Sequence, residues 1–277
     1  MPSKDIRTIE RIREHYNIEK ALASQLRSSN EEDRKNLYTS VYDQLFELVP
    51  DHPQLARKNH SESAAFHMLS QMKILKTFLN EKSKFLEIGA GDCSLSLAIS
   101  KHVEKVYALD VSETMTKQQT LPKNFELIIS DGTSIPVPNE IITIAYSNQL
   151  MEHLHPDDAL KQLKNIYNSL IQDGIYICCT PNRLDGPHDI SEYFDRVATG
   201  LHLKEYTITE VSELFSKVGF SQMRIYKNLK GIIIGFPLSP FVVIESILEK
   251  LPCMMIKKVT STLLLRWLLN IIIVGKK

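Results

Sequence analysis

The residues best suited to chemistry sit directly after short apolar runs. The first such place is Phe85-Leu86-Glu87-Ile88-Gly89-Ala90-Gly91-Asp92-Cys93. Glycines after an apolar run let the backbone turn sharply and approach a ligand closely, where any Cβ would intrude. The Glu87 carboxylate at this place suits a ligand ammonium. About twenty residues on, Asp110 ends the next apolar run, where a carboxylate can accept both hydroxyl protons of a ribose. Two further turns follow apolar runs: Asp131-Gly132 after 125–129, and Ser147-Asn148-Gln149 after 141–146. Any one of these reads equally well as an ordinary turn. Four in succession, with an acid at the second, point to one polar ligand held across several strand ends.

Imidazoles could add acid–base chemistry, because their ordinary pKa lies near neutrality. His153 and His155 stand just beyond Gln149, His188 precedes Asp189 in a Gly-Pro-His-Asp segment, and His202 lies near Glu205. His153 and His188 are the two candidate general bases. For His153, a helix-start residue bonded to backbone is an equal reading; His155 and His202 read as surface or structural positions. The cysteines Cys93, Cys178, Cys179 and Cys253 lack the spacing of a zinc site and read as packed reduced thiols, so no metal is expected.

The elements that must position these groups alternate. A helical pattern over 61–80 precedes the run 85–88, and helical spacing resumes over 95–99. Apolar runs follow at 106–109, 125–129 and 141–146; then a helix carries Leu160, Leu163, Ile166, Tyr167 and Leu170, with Gly174 read as its end. A fifth strand is expected over 175–179. Strands alternating with helices predict an α/β fold, a mainly parallel sheet covered on both faces, whose ligands collect at the carboxyl ends of the strands. Further on, Thr207 to Glu210 reads as a capping box, 222–226 as a sixth strand and 271–277 as a seventh. Between the last two lies an insertion, around 232–269, read as helical. Residues 1–60 carry helical stripes, with Ser29-Asn30 as a cap between two helices, and read as a cover on the α/β body of 61–277.

Composition limits the partners. Hydrophobic residues make up 43% of the 277, ample for a packed core, and 33 basic residues balance 33 acidic ones, so a nucleic-acid partner is not expected. The N-terminus lacks the apolar centre of a secretion signal, and the apolar run 262–274 is interrupted by Arg266 and Asn270. It is short of the roughly 20 residues that span a bilayer, so a cytoplasmic location is expected. Residues 241–269 are apolar enough to suit a dimer surface or a peripheral membrane contact, although an ordinary buried helix pair is the plainer reading.

A dinucleotide ligand would use similar glycine-plus-acid logic, but it favours a third glycine in G-x-G-x-x-G, where this chain has Ser94. Asp92 also adds negative charge where a pyrophosphate needs the opposite. A cationic sulfonium nucleoside suits that acidic rim better.

LEIGAGDC (86–93), ALD (108–110), SDG (130–132), YSNQLMEHL (146–154) and LKNIYNSLIQDGIYICCTPN (163–182) resemble the motifs of class I S-adenosylmethionine-dependent methyltransferases. PNRLDGPHDIS (181–191), GLHLKEYT (200–207) and residues 37–55 are similar to an uncharacterised bacterial small-molecule subgroup of that family. The resemblance implies a seven-stranded Rossmann-like sheet, with S-adenosylmethionine as cofactor. By it, Glu87, Gly89, Ala90 and Gly91 would line the methionine part. Asp110 would hold the ribose hydroxyls, Val111 would pack near the adenine, and Asp131, beside Gly132, would accept from the adenine amino group. Ser147, Asn148 and Gln149 would support the methionine end. Cys93 stands where many members have glycine, and Thr143 where a supporting aspartate is common.

Methyl transfer from a sulfonium needs alignment more than a reactive side chain, since orientation alone can supply roughly 7–11 kcal/mol. The expected acceptor is a small molecule or lipid-like metabolite, methylated on oxygen, nitrogen or carbon. The alternatives are a non-catalytic cofactor-binding regulator and a methyltransferase acting on protein or RNA.

Overall fold

The apolar runs become the centre of an eight-stranded sheet in the computed structural model, which describes residues 5–53, 55, 61–112 and 121–277, the side chains of 61–66 and 253 excepted. The strands are β1 (Lys84–Ile88), β2 (Lys105–Asp110), β3 (Phe125–Ile129), β4 (Ile142–Asn148), β5 (Leu170–Thr180), β6 (Ser221–Leu229), β7 (Ile232–Pro237) and β8 (Ile271–Lys276). Their order is β3-β2-β1-β4-β5-β8-β6-β7. β1 to β5 pair in parallel, and β8 runs antiparallel between β5 and β6. The order reverses between β1 and β4, which makes their carboxyl ends the place where a crevice opens.

Both faces of the sheet are covered, so its strands are apolar nearly throughout. On one face Leu86, Ile88, Ala145, Tyr176 and Ile273 join helices α1 (Ile9–Ser28), α2 (Glu31–Leu48), α5 (Pro156–Ser169) and α6 (Ile208–Val218). On the other Phe85, Val106, Ile144 and Ile177 pack against α3 (Ser61–Leu75) and α4 (Ser94–Ile99). α1 and α2 contribute Leu22, Ala23, Leu26, Tyr38, Val41 and Leu45 to the first core, so they share it with the sheet.

Sequence signals for helix ends hold at three places. Asn30 caps α2 by accepting from Asp33 N–H at 3.0 Å. Thr207 and Glu210 form the reciprocal capping box of α6, and Gly219 closes that helix at φ 117°. Gly174, by contrast, lies inside β5 rather than at a helix end; a Cβ there would stand 2.9 Å from Ile171 O and 3.1 Å from Ile142 O.

The sheet has one more strand than the seven expected. Lys230 (φ 51°) and Gly231 (φ 94°) make a two-residue turn with both residues left-handed, which folds β7 back onto β6. The insertion around 232–269 therefore opens with a strand. Its helices follow: α7 (Ser239–Leu248), α8 (Cys253–Thr260) and α9 (Leu263–Leu269). Buried Glu245 on α7 accepts from Ile208 N–H at 2.7 Å and Thr209 N–H at 2.9 Å, tying the insertion to the start of α6. Among the described residues no helix is long and apolar enough to cross a membrane.

Candidate active site

The turn after β1 is built from three left-handed residues, Gly89 (φ 76°), Gly91 (φ 55°) and Cys93 (φ 58°). Gly89 N–H and Ala90 N–H both donate to Leu109 O on β2, at 2.8 and 3.0 Å. Gly91 N–H donates to Asp110 Oδ2 at 2.7 Å, while Asp110 Oδ1 accepts from Val111 N–H at 2.8 Å and Ser112 N–H at 3.2 Å. A Cβ at Gly89 would press on Leu150 at 3.2 Å, whereas one at Gly91 would meet nothing within 4 Å. The glycine turn is thus packed on its inner side and open on its outer side. A flat ligand can lie directly against that open backbone.

Glu87 stands one step inside this turn, buried, with Ser96 Oγ donating to its Oε2 at 2.5 Å. Burial pushes its carboxyl up to about 8, and the nearby charges of Asp92 and Asp110 add to that rise against the Ser96 bond. A group in this state gains a full charge when a cation comes beside it.

Asp131 anchors the turn after β3. Its Oδ1 accepts from Thr133 N–H and Ser134 N–H at 2.8 and 2.7 Å, and its Oδ2 from Ser134 Oγ at 2.8 Å. These bonds outweigh burial and hold the carboxyl down at about 2. Gly132 (φ 86°) lies under α2, where a Cβ would stand 2.9 Å from the Tyr38 ring. At the tip of β4 the Ser147 hydroxyl pairs with Tyr176 Oη at 2.7 Å inside the core, so its side chain turns away from the crevice. Asn148 is half-buried at the tip, and Gln149 turns the chain at φ 52° while its N–H donates to Cys179 O at 2.8 Å. Thr143 bonds the main chain of Lys84, at the opposite end of these strands. Its position serves strand pairing, far along the sheet from the crevice.

α2 spans this edge. Tyr38 Oη donates to Asp158 Oδ2 at 2.6 Å and accepts from His155 N–H at 3.0 Å, and Thr39 Oγ1 donates to Val111 O at 3.0 Å. Arg34 grips Asp158 through Nε at 2.5 Å and Nη2 at 2.9 Å. One turn further on, Tyr42 lies with its ring 6.0 Å from that of His153, and burial with the charges of Glu19, Glu152 and Asp110 raises its phenol well above its ordinary value. Tyr42 therefore stands between the Asp110 end of the crevice and a second group of polar residues.

That second group was not legible as a unit. His153 Nδ1 lies 3.1 Å from Leu201 O, and burial together with the neighbouring His202 pushes its imidazole down to about 3. It is held neutral, with Nδ1–H donating and Nε2 unprotonated. His202, half of a 2.7 Å pair with Glu205, packs edge-on against the His153 ring at 4.8 Å. Glu152 is fully buried beside them, and Thr180 Oγ1 donates to its Oε2 at 2.9 Å. From α1, Glu19 takes His15 at 2.7 Å and Leu201 N–H at 3.2 Å. His188 main-chain N–H donates to the same Glu205 Oε1 at 2.7 Å, while its Nε2 is 3.1 Å from both Asp185 Oδ1 and Asn182 O, and against partial burial Asp185 raises it to about 9. It carries a proton at neutral pH.

A family model described as a methyltransferase domain matches residues 86–178, the span from the glycine turn to the middle of β5. The carboxy-S-adenosyl-L-methionine synthase of Nautilia profundicola is 25% identical over 181 residues, which cover 56% of this chain and 76% of that protein. Among solved structures, Haemonchus contortus phosphoethanolamine N-methyltransferase 1, in complex with phosphoethanolamine and S-adenosylhomocysteine, superposes with TM-score 0.56 at 14% identity, covering 90% of this chain and 50% of that one. A putative methyltransferase of Haloferax volcanii in complex with its Trm112 activator gives 0.55 at 14% identity, with 80% and 93% covered. A methyltransferase of Archaeoglobus fulgidus gives 0.51 at 18%, with 75% and 92% covered. The fold and the matched segment define a class I methyltransferase domain. The activity and cofactor that go with this domain are S-adenosylmethionine-dependent methyl transfer and S-adenosylmethionine.

Proposed function

We propose that this enzyme methylates a small-molecule or lipid-like acceptor, which reaches the cofactor beneath α1 and α2. The observation that carries the cofactor side is the Gly91–Asp110 bond at 2.7 Å beside an open glycine backbone. In this reading Glu87 pairs with the methionine ammonium, and Gly89, Ala90 and Gly91 give their backbone to the methionine part. Gly91, Val111 and Ser112 N–H take three of the about four acceptor positions of the Asp110 carboxylate. One ribose hydroxyl takes the remaining position on Oδ2, and the second shares Oδ1 with the long Ser112 bond of 3.2 Å. Val111 packs near the adenine, and Asp131 with Gly132 bounds the adenine amino group. Asn148 and Gln149 support the methionine end with side chain and main chain, and Ser147 through its main chain alone.

When bound, the cofactor supplies an activated methyl group on a cationic sulfur. The chain's own residues align and exclude water. Tyr38, pinned by Asp158, holds α2 over the turn at Gly132, and Tyr42 closes the space between the two polar groups. Of the two candidate bases, His153 alone presents an unprotonated nitrogen; His188, protonated beside Asp185, suits an anionic group of the acceptor. A small acceptor fits this arrangement better than a polymer, since Arg27 donates to Thr199 O, Gly200 O and His202 O and so closes the cover over the loop. Exposed Val243, Ile247, Met254, Leu263 and Leu264 on the insertion support its use as a contact for a second copy or a lipid surface.

Incubation of the enzyme with methyl-labelled S-adenosylmethionine and extract fractions tests the reading. Label in a compound of low mass or in extractable lipid is expected. Label in protein or RNA would contradict it, as would cofactor binding without turnover in any fraction. Label kept on a heavier nucleoside would place the chain instead with an activity like that named for the Nautilia relative.

A further inference from the structure

Two residues from the turn after β4 and one from a loop fifty positions later meet in a way the cofactor does not require. Glu152, His153 and His202 each offer one ligand atom, and these atoms lie within 4.8 Å of one another. The fold fixes them through main chain: Lys204 N–H donates to Glu152 O at 3.1 Å, and Arg27 donates to His202 O at 3.1 Å.

Both imidazoles are already oriented from behind. His153 has its Nδ1 on Leu201 O at 3.1 Å, and His202 has its Nδ1 on Glu205 Oε1 at 2.7 Å. Each ring is left with Nε2 as its available nitrogen. A histidine whose other nitrogen is bonded to a carbonyl or carboxylate has the arrangement that metal-ligating histidines adopt, because it fixes tautomer and ring orientation together. The carboxylate points the same way. Glu152 is fully buried; Thr180 satisfies Oε2, while Oε1 has no hydrogen-bond partner among the described residues. An unpartnered oxygen at that depth is costly unless something binds it.

We propose that Glu152 Oε1, His153 Nε2 and His202 Nε2 form a binding site for one divalent transition-metal cation. Two imidazoles and a carboxylate are a donor set for zinc, iron(II) or cobalt(II), and a poor one for magnesium, which prefers oxygen. Ligands around a tetrahedral zinc sit about 3.4 Å apart at bond lengths of roughly 2.1 Å, so atoms within 4.8 Å of one another need to close by about 1.4 Å at most. The neighbouring trio His15, Glu19 and His52 is less suited, because the Glu19 carboxylate is already bonded by His15 and by Leu201 N–H at 3.2 Å. No metal is legible in the sequence, since the cysteines lack zinc spacing and these three donors come together only in the folded chain. The site rests on no feature of the cofactor reading, but a bound cation takes the His153 nitrogen and so removes it as a general base.

The test uses the full chain, stripped with a chelator and titrated without cofactor. Cobalt(II) is followed by its visible ligand-field absorption, and zinc(II) by calorimetry, with magnesium as the comparison cation. One cobalt per chain is expected, displaced by zinc. H153N and H202N should each weaken binding at least about 100-fold, and E205Q, which removes the charge that backs His202 and also faces His188 N–H, about 10- to 100-fold. H15N should leave binding unchanged. Affinity for S-adenosylhomocysteine, unchanged in H202N, reports that the variant is folded and separates this result from the cofactor reading. Absence of saturable cobalt binding in the wild-type chain would overturn the site, and so would binding that survives H202N or is lost in H15N.

Discussion

The main-chain N–H of Gly91 donates to Asp110 Oδ2 at 2.7 Å, which joins the turn after β1 to the carboxylate that ends β2. The two motifs are one physical unit, because the acid that would face a ribose also holds the glycine turn in shape. Asp110→Ala is therefore expected to remove both ligand bonds and turn support. Charge-assisted bonds contribute about 1.5–3 kcal/mol each, so affinity for S-adenosylhomocysteine should fall by at least about 100-fold in calorimetry. Affinity within a few-fold of wild type would remove the ribose assignment.

The buried Glu87 carboxyl, raised to about 8, predicts a pH-dependent cofactor affinity. Its folded value exceeds the unfolded one, so without ligand the folded state binds more protons between about 4.5 and 8, and stability falls as pH rises through that window. An ammonium ligand favours the carboxylate, so binding releases a proton and affinity should climb as pH rises toward 8. Calorimetry in buffers of different ionisation enthalpy should detect the released proton. Glu87→Gln should flatten the profile; an unchanged slope in that variant would place the proton elsewhere.

Stability should depend heavily on the pin between α2 and α5. Asp158 receives Arg34 Nε at 2.5 Å and Tyr38 Oη at 2.6 Å, and all three side chains are buried. Removing one partner leaves an uncompensated buried charge, so Asp158→Ala should cost about 3–5 kcal/mol in denaturant unfolding. Tyr38→Phe loses hydrogen bonds without exposing a charge and should cost about 1 kcal/mol. Equal losses in the two variants would show that Arg34 finds another partner.

Cys93 holds a left-handed conformation, φ 58°, at a fully buried position. A non-glycine residue there stores roughly 1–2 kcal/mol. Cys93→Gly relieves that cost while losing a small apolar group, so it should be near neutral in thermal unfolding. Cys93→Ala keeps the strain and loses the sulfur, and should be the less stable of the two. The reverse ranking would mean that the thiol's packing outweighs the backbone.

What the chain reveals before folding follows the physics of each feature. Glycine turns, the acids at strand ends and the caps at Asn30 and Thr207 are local, so their residue types show them. β7 escaped because Ile232, Ile233 and Ile234 form a continuous apolar run, in which periodicity cannot separate strand from helix. Gly174 was misplaced because the strand begins at Leu170, before the glycine, and the glycine is needed for clearance from neighbouring carbonyls. Ser147 could be placed at a strand tip, but its bond to Tyr176 depends on strand pairing. Contacts across long separations, such as Arg34 with Asp158 or Glu152 with His202, have no local signature.

The most direct check on the central claim is the structure of the chain with S-adenosylhomocysteine bound. The account predicts the ribose hydroxyls on the Asp110 carboxylate, the amino group at Glu87 and the backbone of Gly89 to Gly91 against the ligand. A nucleoside bound away from the carboxyl ends of β1, β2 and β4, or one whose ribose leaves Asp110 untouched, would contradict it.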